Sequence, residues 1–175
     1  MEGRQVRKKA AIRKVFRGGP ASQAEISFLL QDFEDAYNVG SIFRLADAVG
    51  AKLIVGTGRT PLPPDPMIGV TSLGHHRRIP FRHVAGHEEA GNALREEGWT
   101  LVAVEVAEGA IPFLEYEFPQ RVCLVLGNEG AGVYGALLRQ CAAAVYVPMF
   151  GKGRSMNVAM CAGIVAYRAI LKESS

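Results

Sequence analysis

Cysteine is scarce and poorly placed for staples. Cys123, Cys141 and Cys161 are odd in number, widely spaced and form no CxxC pair. That argues against a disulfide framework and against a zinc site, and leaves buried free thiols in a reducing cytosol as the expectation. Long hydrophobic runs are missing too. The most apolar windows fall short of a bilayer span and are broken by Pro148 or by charges. No long apolar stretch follows the charged N-terminus, so no signal peptide is expected. Both common nucleotide fingerprints are absent: there is no G-x-G-x-x-G, and no glycine loop ends in G-K-[ST]. These absences count against an NTPase or a dinucleotide oxidoreductase. Together they set the expectation of a soluble cytoplasmic protein that needs no metal.

What is present suits one folded domain. The 175 residues are 49% apolar, enough for a real core. The net charge is only +3 but is unevenly spread. Residues 1–17 carry Arg4, Arg7, Lys8, Lys9, Arg13, Lys14 and Arg17 against Glu2 alone, so the remainder is net acidic. Such a basic arm can neutralise phosphates and gain from counterion release; the bland alternative is a solvated tail. Gly18-Gly19-Pro20 separates the arm, residues 1–19, from the expected folded domain, residues 20–175. Val6, Ile12 and Phe16 give the arm weak helical spacing, which predicts a helix that orders on RNA.

Beyond it, short apolar runs at residues 26–30, 52–56, 100–106, 121–126 and 143–147 read as strands. Residues 39–49, 87–97, 133–140 and 156–171 read as helices, and the proline-rich 58–66 as loop. Ile42, Leu45, Ala46 and Val49 mark one helical face, with Asn38 as expected N-cap and Gly50 as stop. Alternating strands and helices with continuous apolar strands predict an α/β fold: a mostly parallel sheet with helices on both faces. The last helix is apolar almost all round, from Met156 through Ile164 to Ile170, with Ser155 as expected cap. That predicts burial on all sides, partly by a second subunit, so a homodimer is expected.

Ligands of open parallel sheets bind beyond the carboxyl ends of the strands, and three such ends carry unusual loops. The first runs from Asn38 to Arg44. A guanidinium amid apolar neighbours seeks an anion such as phosphate; a surface ion pair with Asp47, and simple capping by Asn38, are the alternatives. The second is Leu126-Gly127-Asn128-Glu129-Gly130-Ala131-Gly132, a turn whose glycines admit close approach to backbone. Glu129 there suits a ribose hydroxyl or a cation, or merely the helix dipole. The third joins Val147, Pro148 and Met149 to Ser155, Met156 and Asn157. Polar groups opening an apolar helix need partners.

Taken in order, N-x-G-x-I-x-R, L-G-N-E-G-x-G and V-P-M-x-G-x-x-x-S-M-N-V resemble the three motifs of the TrmH (SpoU) family of SPOUT-class RNA methyltransferases. The resemblance spans residues 26–170. Thr71-Ser72-Leu73-Gly74 falls where the family carries a T-S-x-G-A-like loop, with His75 replacing the alanine. The resemblance implies a SPOUT α/β knot with a deep C-terminal trefoil, a homodimer with the active site at the subunit interface, and S-adenosyl-L-methionine as cofactor. It places Val104, Glu105, Gly127, Val147, Met149, Ser155 and Met156 around that cofactor. It makes Arg44 the catalytic arginine, as a base or as a stabiliser of alkoxide charge, with Asn38, Glu129, Ser155 and Asn157 as the other catalytic positions.

The implied reaction is methyl transfer to a ribose 2′-hydroxyl of RNA. The RNA-binding candidates are Arg7, Lys8, Lys9, Arg13, Lys152 and Arg154, and Arg77 and Arg78 from the cluster His75, His76, Arg77, Arg78, Arg82 and His83. The alternative for that cluster is an exposed strand edge. A short form with a basic arm looks more like tRNA-acting members than rRNA-acting ones. A non-catalytic RNA-binding module of this fold and a base-methylating SPOUT enzyme are the competing readings; the joint presence of Asn38, Arg44, Glu129, Ser155 and Asn157 argues against the first.

Overall fold

Residues 5–171 are described by a computed structural model. The strands are β1 (Glu25–Gln31), β2 (Ile54–Thr57), β3 (Phe81–Val84), β4 (Thr100–Val104), β5 (Ile111–Pro112), β6 (Arg121–Leu126) and β7 (Ala143–Tyr146). They form one sheet in the order β3-β2-β1-β6-β4-β7-β5, and every pairing is parallel. The helices are α1 (Lys9–Arg17), α2 (Ala36–Val49), α3 (Pro66–Ser72), α4 (His87–Glu96), α5 (Gly135–Leu138) and α6 (Val158–Ile170).

The sheet is buried on both faces because its central strands are apolar at consecutive positions. In β1 and β6 the register sets Phe28 beside Leu124 and Leu29 beside Val125. Ile26, Phe28, Leu30, Leu124 and Leu126 face α2 and α6, while Leu29, Cys123 and Val125 face Ala90 and Leu94 of α4. Burial pushes the Cys123 thiol up to about 12, and that of half-buried Cys141 likewise to about 12, so both behave as inert packing groups. All three cysteines are free.

Several expected boundaries move. α2 begins at Ala36 and is capped by Asp35, whose carboxylate accepts from Tyr37 N at 2.8 Å, so Asn38 lies inside the first turn and is not the cap. α6 is capped by Asn157 and not by Ser155. Thr71 and Ser72 close α3 and are not loop. That helix packs so closely on α2 that a Cβ on Gly40 would come within 2.5 Å of Ile68 O, which is why the first motif has glycine there. Residues Lys9–Arg17 of the basic arm form α1, with no residue buried; Arg4 lies outside the described residues. No helix among the described residues is long and apolar enough to cross a membrane.

The last helix is not buried on all sides within one chain. Met160, Ile164 and Tyr167 form an exposed stripe along α6, Met160 being 61% exposed.

Candidate active site

The carboxyl ends of β1, β4, β6 and β7 converge at the middle of the sheet, where the strand order departs from chain order. Loops leaving such neighbouring ends diverge and leave a crevice. Here the crevice is a cavity of about 720 Å³.

Glu129 ties the first two motif loops together. Its carboxylate accepts from Glu34 N at 3.1 Å, Asp35 N at 3.4 Å and Asn38 Nδ2 at 3.0 Å. An ionised carboxylate only accepts, so Asn38 must present its amide nitrogen to Glu129 and turn Oδ1 the other way. That oxygen accepts from Asn157 Nδ2 at 2.9 Å. Asn157 Oδ1 in turn accepts from Ala159 N at 2.9 Å and Met160 N at 3.2 Å, the open amides of α6. One polarised chain thus runs from the positive end of a helix to an acid and joins one residue of each motif.

The loop after β6 is held by polar groups at strand ends. Asn128 Oδ1 accepts from Gly130 N and Ala131 N at 2.9 and 2.8 Å, while its Nδ2 donates to Asp32 O at 2.8 Å. Gln31, the last residue of β1 after the apolar run Phe28-Leu29-Leu30, donates to Gly132 O and accepts from Tyr134 N. Glu105 accepts from Val106 N at 2.8 Å and Val133 N at 2.9 Å. Its carboxylate fills the space that a Cβ on Gly132 would need, and Gly132 has φ +68, so glycine is required there twice over.

Asp32 anchors this layer from below. It sits at φ +54, a conformation that Asp tolerates better than most residues. Its side chain accepts from Arg59 N at 2.9 Å and Tyr134 Oη at 2.7 Å. The Arg59 amide, then the Tyr134 hydroxyl, then the Arg59 guanidinium hold its carboxyl down to about 2. Asp32, Gln31 and Tyr134 are site residues outside the three motifs, and Asn128, though within the second, has no role assigned from sequence. The available signal is the polar pair Gln31-Asp32 directly after the apolar run Phe28-Leu29-Leu30.

The cavity wall includes Val104, Glu105, Gly127, Val147, Met149, Ser155 and Met156, all seven positions assigned to the cofactor from sequence. Asn38, Glu129, Asn157 and Arg154 also line it, as do Glu34, Asp35 and half-buried Cys161. Arg44 does not. It projects exposed from α2, and Asp47, its expected ion-pair partner, is taken by His75 at 2.6 Å and Arg78 at 3.1 Å. Among the described residues no ion pair reaches Arg44.

The basic cluster around residue 77 is partly spent on the fold. Arg82 and His83, on β3 at the sheet edge, pair with Glu97 and with Gly58 O, and His76, in the turn before it, bonds Ser72. Arg77 stays exposed, as do Lys8, Lys9, Arg13 and Lys152; Arg7, also exposed, donates to Gln5 Oε1 at 3.0 Å.

Residues 25–167 match the model of the SpoU rRNA Methylase family. A 23S rRNA (guanosine(2553)-2'-O)-methyltransferase of Bacillus subtilis, RlmP, is 34% identical over 79% of this chain and 55% of its own length. A tRNA (guanosine(18)-2'-O)-methyltransferase of Thermus thermophilus is 29% identical over 84% of this chain and 75% of its own. The SpoU methyltransferase AviRb of Streptomyces viridochromogenes, crystallised with AdoMet, superposes with a TM-score of 0.75 at 30% identity, over 86% of this chain and 58% of that one. The chain therefore spans little more than half the length of several of the proteins it matches.

Proposed function

We propose that this chain, which belongs to the SpoU rRNA methylase family, is an S-adenosylmethionine-dependent RNA ribose 2′-O-methyltransferase that works as a homodimer, with tRNA as the preferred substrate. The observation that carries the reading is the cavity at the carboxyl ends of the central strands, with one residue from each of the three motifs hydrogen-bonded at its wall.

The residues present fit the cofactor. The cavity wall holds four carboxylates, Glu34, Asp35, Glu105 and Glu129, against the single guanidinium of Arg154. That surplus suits a ligand bearing a sulfonium and an ammonium. Val104, Val147, Met149 and Val158 supply apolar wall for a purine, and Gly127 and Gly132 leave backbone accessible beside it. When bound, S-adenosylmethionine supplies a methyl group already activated by its positive sulfur.

The rest falls to the protein. The amide chain from α6 through Asn157 and Asn38 to Glu129 fixes the loops that bound the cavity. Ser155 and Met156 close it beside the N-terminus of α6. Arg44 binds the substrate phosphate and stabilises negative charge as the 2′-oxygen loses its proton; guanidinium rarely deprotonates, so we assign it the electrostatic role. On a helical wheel Arg44 lies about 120° round α2 from Asn38, consistent with its absence from its own cavity wall. The exposed stripe Met160, Ile164 and Tyr167 on α6, which packs against α2, is the surface we assign to the partner. In that arrangement Arg44 of one protomer serves the cavity of the other. The exposed cations of α1 and Lys152 extend the contact to RNA phosphates.

The tRNA preference rests on the basic helix and on the fuller coverage of the tRNA-acting relative. Tritium-methyl transfer to separate tRNA and rRNA pools tests the whole reading. Alkali-resistant label in tRNA is expected; label only in rRNA removes the preference, and alkali-labile or base-borne label removes ribose chemistry. No transfer with intact RNA binding leaves the non-catalytic module.

A further inference from the structure

A phenylalanine ordinarily gains its place in a fold by leaving water. Phe150 does the opposite: it is 98% exposed, the most exposed large apolar side chain among the described residues. It stands on the loop between β7 and α6, in which Met149 and Arg154 line the cavity, so the ring lies beside the cavity mouth. Gly151 follows with open space around its would-be Cβ, and Lys152 and Arg154 are exposed two and four residues on. The loop thus carries an exposed aromatic ring and two exposed cations, one of them (Arg154) at the cavity wall, beside the place where an acceptor hydroxyl must enter.

Resting on the methyltransferase reading above, we infer that Phe150 is a stacking platform for a base of the substrate, and that the substrate nucleotide therefore lies in an unpaired RNA segment rather than within a duplex. Inside an A-form helix both faces of each base are covered by neighbours and offer a ring no place to stack. An unpaired nucleotide can present its ribose to the cavity while a base stacks on the aromatic ring. The cations beside Phe150 hold the flanking phosphates, a combination that suits single-stranded nucleic acid. An apolar partner surface would not call for Lys152 and Arg154 at these spacings.

The test is binding of fluorescein-labelled RNAs to the intact protein: a hairpin with an unpaired loop, and a blunt duplex of matched length. Phe150→Ala should weaken the hairpin by about 5- to 100-fold while leaving the duplex within about 2-fold, and Phe150→Trp should restore it. Lys152→Ala should weaken both RNAs alike and lower the salt slope by about one. Calorimetry should find S-adenosylmethionine affinity unchanged in Phe150→Ala. Unaltered hairpin affinity in Phe150→Ala, or equal loss on both RNAs, overturns the inference. So does a fall in molecular mass by sedimentation, which makes Phe150 a subunit contact. If the wild type binds S-adenosylmethionine but neither RNA, the RNA reading beneath fails and stacking goes with it. If it binds the hairpin yet transfers no methyl, catalysis alone fails, and Phe150→Ala still decides the stacking.

Discussion

Asn157 donates from Nδ2 to Asn38 Oδ1 at 2.9 Å while its own oxygen caps α6. One side chain therefore does two jobs, and substitutions separate them. Aspartate caps helices about as well as asparagine but has no amide to donate, and its charge would face Asn38 Oδ1. Asn157→Asp should keep the melting temperature within a few degrees yet lower methyl transfer at least about 10-fold, the cost of a lost hydrogen bond and a misplaced charge. Asn157→Ala should lose the cap as well, about 1 kcal/mol of stability. Thermal melts and single-turnover rates on both variants check this; equal activity in Asn157→Asp and wild type would remove the amide chain from the mechanism.

Asp32 gives a pH-dependent counterpart. Its carboxyl is held down to about 2 from an ordinary 3.8, first by the Arg59 amide and then by the Tyr134 hydroxyl. A depressed acid contributes stability that is fully present above the unfolded value and is lost as pH falls through the folded one. The window is therefore from about pH 4 down to about pH 2. An asparagine in its place would keep the left-handed backbone but not the charge. Asp32→Asn should be less stable than wild type at neutral pH, and the gap should close on acidification through that window. Urea unfolding at several pH values measures it; a gap that is constant with pH would deny the carboxylate its part.

These two residues also mark what is legible in the sequence. The parallel α/β sheet is readable because β1 and β6 are apolar at consecutive positions, and burial on both faces leaves little other use for such runs. Asn38, Glu129 and Asn157 stand out because each falls in one of three motifs that occur in family order, whereas taken singly each has an ordinary reading as a cap or a helix-dipole partner. Their mutual bonding is not readable, since residues 38, 129 and 157 meet only once the strand order is known. Asn38 reads as a cap in sequence because Asp35, three residues earlier, suits the role equally and only backbone geometry chooses. The short strand Ile111–Pro112 has too few residues for any period, and Asp32 gives no sign of its partners because Arg59 and Tyr134 come from distant loops.

Helix α1 is the cheapest part of the molecule to remove. It buries no residue and carries Lys9, Arg13, Lys14 and Arg17 on one side. Deleting residues 1–17 should change unfolding free energy by less than about 0.5 kcal/mol, as for surface changes generally. RNA affinity should fall and its dependence on salt should flatten, because fewer counterions are released. S-adenosylmethionine affinity should not move. A salt slope equal to that of the full chain would make α1 a bystander.

Arg44 supplies the sharpest test of the dimer, because its side chain is absent from its own cavity wall while Glu105 lines it. Arg44→Ala alone should lose at least about 100-fold in turnover, the scale of removing a group that stabilises developing charge. Glu105→Ala alone should lose S-adenosylmethionine binding, since Val106 N and Val133 N then lack their acceptor. Mixing the two inactive proteins under subunit exchange distinguishes the geometries. If Arg44 acts across the interface, each mixed dimer holds one site with an intact cavity and a working arginine from the partner. About half the dimers are mixed and half their sites work, so about a quarter of wild-type activity should return. If Arg44 serves its own chain, every site in the mixture lacks one component and no activity returns.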